Sequence, residues 1–259
     1  METITRKSML YKTGVEYGDY TMNHVLGCAH GCLYPCYAFM MAKRFGKVKT
    51  RELWCAPKLV SNTLELLDKE IPKLKDKIAS VQLCFSTDPF MENYPEVGRM
   101  SIAAIRKLND AGIKCTILTK GILPIELSEL SPQNEYGITF VSLDESFREQ
   151  YEPHAASLER RLAALRDLNA AGCKTWVSIE PYPTPNIIHQ ELHPLLEAVG
   201  FTNRIIFGRM HYNRIVTEYS EHKQFYNKCA EEVTDFCIRR RIPFHIKKGT
   251  ITESGRSAQ

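Results

Sequence analysis

Three cysteines occupy the stretch Gly27-Cys28-Ala29-His30-Gly31-Cys32-Leu33-Tyr34-Pro35-Cys36-Tyr37, directly after a run typical of a β-strand. Such close spacing on one loop suits a metal centre better than a disulfide. Three thiolates can ligate three irons of a 4Fe4S cluster and leave the fourth iron open. The alternative is a structural zinc site completed by His24 or His30.

The remaining cysteines and the composition predict a cytoplasmic protein. The chain has nine cysteines in 259 residues, and those outside the loop are scattered without the regularity of a disulfide framework. No apolar signal segment or membrane-length apolar run is present in the sequence, so neither export nor a membrane partner is expected. The net charge of +4 is modest, and the basic run Arg239–Arg241 is typical of a solvated helix end, with nucleic-acid binding as the alternative.

Strand-like runs alternate with helical stretches through most of the chain, which predicts an α/β fold with a parallel sheet. A helix is expected over residues 157–171, where leucines recur at helical spacing before Gly172. Pro72 predicts a kink or break in a long helix. One domain is expected over residues 1–249, with a disordered tail over residues 250–259. The predicted strands are residues 21–27, 80–87, 113–119, 137–143, 173–180, 204–210 and 243–247.

A weak internal repeat marks two strand ends. Leu108-Asn109-Asp110-Ala111-Gly112 and Leu168-Asn169-Ala170-Ala171-Gly172 are 60 residues apart, and each predicts a helix that stops at glycine before a strand. When the two copies are aligned through the strands that follow, Lys120 corresponds to Glu180. Both lie at the carboxyl ends of their strands, where barrel enzymes have their active sites. Both are therefore candidate site residues, with ordinary loop charges as the alternative.

Further motifs follow the cysteine loop in order. They are Ser86-Thr87-Asp88-Pro89-Phe90, Thr119-Lys120, Ser142-Leu143-Asp144, and Glu152-Pro153 with Arg160-Arg161-Leu162. Together with the loop they resemble the spore photoproduct lyase-like branch of the radical S-adenosylmethionine (radical SAM) superfamily, over residues 20–185. The loop departs from the usual pattern, because Pro35 gives three residues instead of two before the last cysteine. The resemblance implies a partial (β/α)6-type barrel of parallel strands with outer helices.

The same resemblance implies an enzyme with two cofactors. A 4Fe4S cluster would be held by Cys28, Cys32 and Cys36, and SAM would bind its open iron. An electron from a reductase or a flavodoxin- or ferredoxin-type donor would cleave SAM, and the resulting 5′-deoxyadenosyl radical would remove hydrogen from the substrate. The pocket must also bind the polar ends of SAM and exclude water.

Position and charge suggest which strand-end residues bind SAM. The methionine ammonium is expected at Asp88 or at the hydroxyls of Ser86 and Thr87. The carboxylate or ribose is expected at Lys120 with Ser142.

Two side chains near the motifs have alternative interpretations. Tyr37 either stacks near adenine or serves packing. Cys84 lies on the same strand face as Ser86 and is either a hydrogen donor to the substrate or a packed core thiol.

The late strands carry the substrate candidates, whose mixture of charges predicts a polar or anionic substrate, with a salt-bridged rim as the alternative. A peptide, a protein (through an activase-type reaction) or a DNA lesion remain candidate substrates, since fold and cofactor do not define a reaction. A zinc-binding scaffold is the non-enzymatic alternative. The substrate candidates are Glu180, Tyr182, Arg209, His211 and Lys247.

Overall fold

The computed structural model describes residues 1–16 and 18–252, which divide into two compact units. The first unit comprises residues 1–139 and 144–175, and the second comprises residues 140–143 and the described residues from 176 onward. The single domain expected over residues 1–249 stays a prediction. Within the described residues, no helix combines the length and the apolarity that a membrane crossing needs.

The first unit contains a mostly parallel sheet and a smaller second sheet. The main sheet has the order β2-β3-β6-β7-β8, in which β2 is antiparallel to β3 and the other neighbours are parallel. The smaller sheet has the order β1-β5-β4. The strands are β1 (Thr3–Ile4), β2 (Tyr11–Lys12), β3 (Tyr20–Met22), β4 (Val25–Leu26), β5 (Lys58–Val60), β6 (Ser80–Leu83), β7 (Lys114–Thr119) and β8 (Glu135–Thr139).

Helices cover this sheet because their apolar faces match its buried side chains. Val81, Ile117 and Ile138 on the central strands are fully buried, as expected for a parallel sheet covered by helices. The helices of the unit are α1 (Tyr37–Arg44), α2 (Arg51–Cys55), α3 (Thr63–Leu74), α4 (Pro95–Asp110), α5 (Glu145–Tyr151) and α6 (Leu158–Ala170).

Helix α6 confirms the prediction for residues 157–171. The Ser157 hydroxyl accepts the N–H of Arg160 and caps the helix. By contrast, Pro72 does not break α3, which continues to Leu74 and then tightens into a 3-10 turn over Lys75–Lys77. Pro72 lies in the last turn of α3 and has no N–H to donate to the Asp68 carbonyl, and the helix ends two residues later.

The second unit repeats the βα arrangement on a smaller scale. Its strands β9 (Lys174–Tyr182, in this unit from Trp176), β10 (Arg204–Arg209) and β11 (Phe244–Ile246) are parallel in that order. Its helices are α7 (Leu192–Val199), α8 (Arg214–Glu218) and α9 (His222–Arg240). Phe207 and Val233 are fully buried between α9 and the sheet.

The observed elements confirm the predicted α/β fold, a mostly parallel sheet flanked by helices. The predicted strand over residues 137–143 is shorter, since β8 ends at Thr139 and the Phe140 N–H donates to the Ser178 carbonyl. In the predicted tail, Thr250 is fully buried and Thr252 exchanges hydrogen bonds with Asn227. Residues 253–259 lie outside the described part of the chain.

Candidate cluster site

The cysteine loop joins β4 to α1 and is held by backbone contacts on both sides. At its start, the Cys28 N–H donates to the Trp54 carbonyl at 2.9 Å. At its centre, the Leu33 N–H donates to the Tyr151 carbonyl at 2.7 Å, and Arg51 donates to the carbonyls of Gly31 (2.8 Å) and Cys32. Cys36 then directly precedes α1. The loop path is therefore fixed before any cofactor contact is considered.

Gly27 lets the chain turn into this loop. Its φ is +91°, and a Cβ there would lie 2.5 Å from the Trp54 carbonyl oxygen. We expect Gly27→Ala to lower the free energy of unfolding by about 1–3 kcal/mol from backbone strain alone, with the steric clash adding to this loss. Gly46→Ala is the matched control, because Gly46 also has positive φ but open space around it. Equal losses in urea unfolding of the two variants would contradict the role of the Trp54 contact.

The three thiols of the loop share one electrostatic environment. Burial, followed by the charges of Asp88, Cys32 and Cys36, raises the pKa of Cys28. Burial and Cys32 raise the pKa of Cys36 to about 11, against the opposing effects of nearby N–H groups and Arg51. Burial also raises the pKa of Cys32, opposed chiefly by Lys120. Because each thiol feels a neighbouring one, loading a metal centre must displace their protons together.

The donor set fits an iron-sulfur cluster. Thiolates are the ligands that such clusters use, and a cluster spreads its cysteines over several irons. Across residues 1–16 and 18–252, no group of three His, Cys, Asp or Glu side chains is arranged to hold a metal ion. The two imidazoles that could complete a zinc site contact other side chains, His30 with Asp88 and His24 with Ser101.

A buried ion network lies directly beside Cys32. The Lys120 ammonium is 3.7 Å from the Cys32 Sγ and 2.7 Å from Glu152 Oε1, and it lies over the Tyr34 ring at 4.5 Å from its centroid. The Tyr34 hydroxyl donates to the same carboxylate at 2.6 Å, and Arg161 pairs with its other oxygen at 2.7 Å. Glu152 and Arg161 are each 1% exposed.

The network is electrostatically matched. Burial acts to raise the pKa of Glu152, but Lys120 and Arg161 lower it to about 2. Burial acts to lower the pKa of Lys120, but Cys32 and Glu152 raise it above its usual value. Lys120 is therefore held as a cation next to Cys32, where it can offset the charge of a thiolate.

Asp88 makes a second buried network that ties the loop to the sheet. Its carboxylate contacts His30 Nε2 at 2.8 Å and accepts from the Thr119 hydroxyl and from the N–H groups of Phe90 and Lys120. Burial acts to raise the pKa of Asp88, but His30 and these donors lower it. These contacts engage both oxygens inside the fold, which argues against the predicted role of Asp88 in binding the SAM ammonium. Its short side chain reaches the loop imidazole instead.

Cys84 lies in a third buried cluster. Its Sγ is 3.4 Å from His24 Nδ1, and His24 Nε2 is 2.9 Å from the Ser101 hydroxyl. Cys84 is 2% exposed, and burial raises its pKa to about 12. The structure therefore favours the packed core thiol over the hydrogen donor, since a substrate has no surface of Cys84 to approach.

His24 gives the fold a distinct pH dependence. Burial is the main cause that lowers its pKa from 6.5 to about 4. Between these values the unfolded chain binds a proton that the native chain does not, so His24 makes stability fall as pH decreases from about 6.5 to about 4, by about 3 kcal/mol in total. Urea unfolding between pH 4 and 7 should show a shallower slope for His24→Gln. An unchanged slope would contradict the buried neutral imidazole.

The other predicted SAM contacts differ in accessibility. The Ser86 N–H and hydroxyl both donate to Asn23 Oδ1, at 3.1 and 3.0 Å. Among the described residues, the buried Thr87 hydroxyl has no nitrogen or oxygen partner, and it interacts only with the Cys84 thiol. Tyr37, the first residue of α1, is 50% exposed. Ser142 is fully buried and belongs to the second unit.

The substrate candidates all belong to the second unit. Glu180 pairs with Lys247 at 2.9 Å, and Arg209 Nε donates to His211 Nδ1 at 3.2 Å. Tyr182, predicted to accompany them, is 1% exposed and its ring packs against Phe207 and Phe225. The gain from burying an aromatic ring accounts for this position in the core, and a substrate contact by Tyr182 stays a prediction.

Sequence reasoning missed the partners of Lys120. Glu152 and Arg161 were noted as motif residues without a role, and Tyr34 as a loop aromatic. One signal was available: Arg161 lies three residues from Leu158 and four from Leu165, and so falls on the buried apolar stripe of α6. A charge in such a stripe predicts a buried counter-charge.

The chain matches the family model of the radical SAM superfamily over residues 22–199. Because the match spans more than half of the chain, the protein belongs to the radical SAM superfamily. Membership implies a 4Fe4S cluster and SAM as cofactors.

Two curated relatives are themselves uncharacterised proteins. ORF301 of Acidianus two-tailed virus is 27% identical over 195 residues, which cover 72% of this chain and 64% of the relative. MJ0683 of Methanocaldococcus jannaschii is 27% identical over 207 residues, which cover 79% of this chain and 75% of the relative. The chain thus spans less than two thirds of the length of the viral relative.

Solved structures resemble this chain in fold. Spore photoproduct lyase complexed with dinucleoside spore photoproduct has a TM-score of 0.65 at 12% identity, over 93% of this chain and 80% of the lyase. A lyase variant with bound AdoMet and the same dinucleoside has a TM-score of 0.66 at 14% identity, with the same coverage. Streptococcus suis SuiB bound to its precursor peptide SuiA has a TM-score of 0.50 at 18% identity, over 70% of this chain and 41% of SuiB. At these identities the likeness concerns the fold alone.

Proposed function

We propose that Cys28, Cys32 and Cys36 hold the 4Fe4S cluster of this radical SAM enzyme, which cleaves SAM reductively and removes hydrogen from a polar or anionic substrate. The observation that carries the proposal is the set of three mutually interacting thiols on one loop, with the Lys120 ammonium 3.7 Å from the Cys32 Sγ. When bound, the reduced cluster supplies the electron that cleaves SAM.

The residues around the thiols hold the loop and set its charge. Lys120 places a positive charge beside Cys32, and Glu152 with Tyr34 keeps Lys120 in that position. Asp88 fixes the His30 imidazole within the loop. Such supporting contacts orient the groups that bind a metal and tune its properties.

The SAM contacts proposed for this chain come from polar side chains of the motifs. The Thr87 hydroxyl is the best-supported of them, because it is buried and its neighbour within the described chain is the weakly hydrogen-bonding Cys84 thiol. Lys120 supplies positive charge for the methionine carboxylate. Ser86 and Tyr37 remain predicted contacts for the ammonium and the adenine. Ser142, with Lys120, remains a predicted contact for the carboxylate or the ribose.

The proposed polar or anionic substrate would meet the charged residues of the second unit. Glu180, Arg209, His211 and Lys247 are partly exposed there. Spore photoproduct lyase and SuiB resemble this chain in fold only. Their similarity therefore favours neither a DNA lesion nor a peptide as the substrate. The proposal includes a flavodoxin- or ferredoxin-type electron donor or a reductase.

Metal analysis after anaerobic reconstitution tests the cluster assignment. We expect a brown protein with iron and sulfide at the stoichiometry of a 4Fe4S cluster. A colourless protein that takes up zinc and no iron would contradict the proposal and support the zinc-binding scaffold.

A further inference from the structure

A cavity of about 200 Å³ lies in the second unit, just beyond the end of β10. Its lining includes residues 209–214 and His222. The volume is smaller than the range of roughly 300–1,000 Å³ typical of drug-sized ligands. The cavity therefore suits a small polar group or the end of a larger molecule.

The Arg and His side chains that line this cavity are all basic. Arg209, His211, Arg214 and His222 line it, and no Asp or Glu is found among its lining residues within the described chain. Arg214 is turned to solvent, where it pairs with Glu218. Arg209 contacts His211 through Nε and forms no ion pair with a carboxylate of residues 1–16 or 18–252. The inner lining is thus a guanidinium without a counter-charge.

The hydrogen bonds orient these groups as donors. Because Arg209 Nε–H donates to His211 Nδ1 at 3.2 Å, neutral His211 carries its proton on Nε2. The two terminal nitrogens of Arg209 keep their N–H groups. Burial and the charges of Arg209 and Lys247 lower the pKa of His211, which is consistent with a positive potential at the cavity.

We propose that this cavity binds a terminal phosphate group. A guanidinium fork presents parallel N–H donors that match a phosphate edge, and the His211 N–H can serve a third oxygen. A dianion offsets the unpaired charge better than a carboxylate does. A phosphodiester offers two unsubstituted oxygens and one negative charge, so it matches these donors less well than a terminal phosphate does.

This site would bind the terminal phosphate of the anionic substrate. The reaction of that substrate rests on the proposed function. Binding itself does not depend on the cluster. Phosphate binding is measured on the chain without the cluster, whereas SAM cleavage requires it, so the two proposals fail separately.

Isothermal titration calorimetry with inorganic phosphate, a nucleoside 5′-monophosphate, a dinucleoside phosphate and acetate tests the site. We expect binding of the first two and weaker binding of the diester and acetate. Arg209→Gln should weaken phosphate binding roughly 10- to 100-fold, the loss expected for a hydrogen bond to a charged group. Arg239→Gln, which removes an equal charge from an exposed position outside the cavity, should leave it unchanged.

A second readout is measured on the wild-type chain. The His211 Cε1–H resonance, identified by its absence in His211→Asn, should shift when inorganic phosphate is added to the wild-type chain. An unmoved resonance, equal binding of acetate, or binding of the diester without inorganic phosphate would each overturn the proposal.

Discussion

Replacement of Cys32 by Ala is expected to prevent assembly of the 4Fe4S cluster and to reduce SAM cleavage to background. Cys32 is the thiol that touches Lys120, and its loss removes one of three proposed iron ligands. Cys28→Ala and Cys36→Ala should have the same effect, because a cluster with two protein ligands is not held. Iron and sulfide content and the visible absorption after anaerobic reconstitution measure the result.

Cys55→Ala is the matched control for these variants. Cys55 is partly exposed and close enough to Cys32 for the two charges to interact, yet it lies outside the loop. It should retain full cluster content. Circular dichroism should show that each loop variant is folded. Normal iron and sulfide in Cys36→Ala, or their loss in Cys55→Ala, would overturn the ligand assignment.

Glu152→Gln is expected to destabilise the fold by about 3–5 kcal/mol, the cost of leaving a buried charge without its partner. Glutamine keeps the shape of the side chain but removes the charge that faces both Lys120 and Arg161. The loss should be largest near neutral pH and should shrink as pH falls from about 4.5, the ordinary pKa of the carboxyl, to about 2, its pKa in the fold. The free energy of unfolding in urea measures it.

Glu197→Gln provides the comparison for an exposed pair. Glu197 contacts Arg240 at 2.5 Å, but both side chains are more than 40% exposed, so the loss should lie within about 1 kcal/mol. Adding Arg161→Met to Glu152→Gln should recover part of the stability, because it removes a buried charge that the first change leaves unpaired. Equal effects of Glu152→Gln and Glu197→Gln would contradict the buried network.

Local patterns predicted the fold and the cysteine loop because both depend on neighbouring residues. Leucine spacing and the Ser157 cap define α6, and β7 and β10 follow their apolar runs within one residue at each end. The thiol spacing alone indicates a metal centre. These features do not require knowledge of distant contacts.

The network around the loop depends on distant contacts and was not predictable in the same way. Tyr34 and Glu152 are 118 residues apart, and no local pattern joins them. Asp88 was predicted to bind SAM from its charge, but its hydrogen bonds inside the fold engage it. Tyr182 was predicted to contact the substrate together with Glu180, whereas its ring packs in the core against Phe207 and Phe225. The role of a residue such as Asp88 thus depends on its hydrogen-bond and packing partners, which its residue type does not reveal.

The most direct test of the central claim is a chromatographic assay for 5′-deoxyadenosine after dithionite reduction of the reconstituted protein in the presence of SAM. The account predicts 5′-deoxyadenosine from the wild-type chain and from Cys55→Ala, and none from Cys32→Ala. Intact SAM in every sample, with a full complement of 4Fe4S cluster in the wild-type chain, would contradict it.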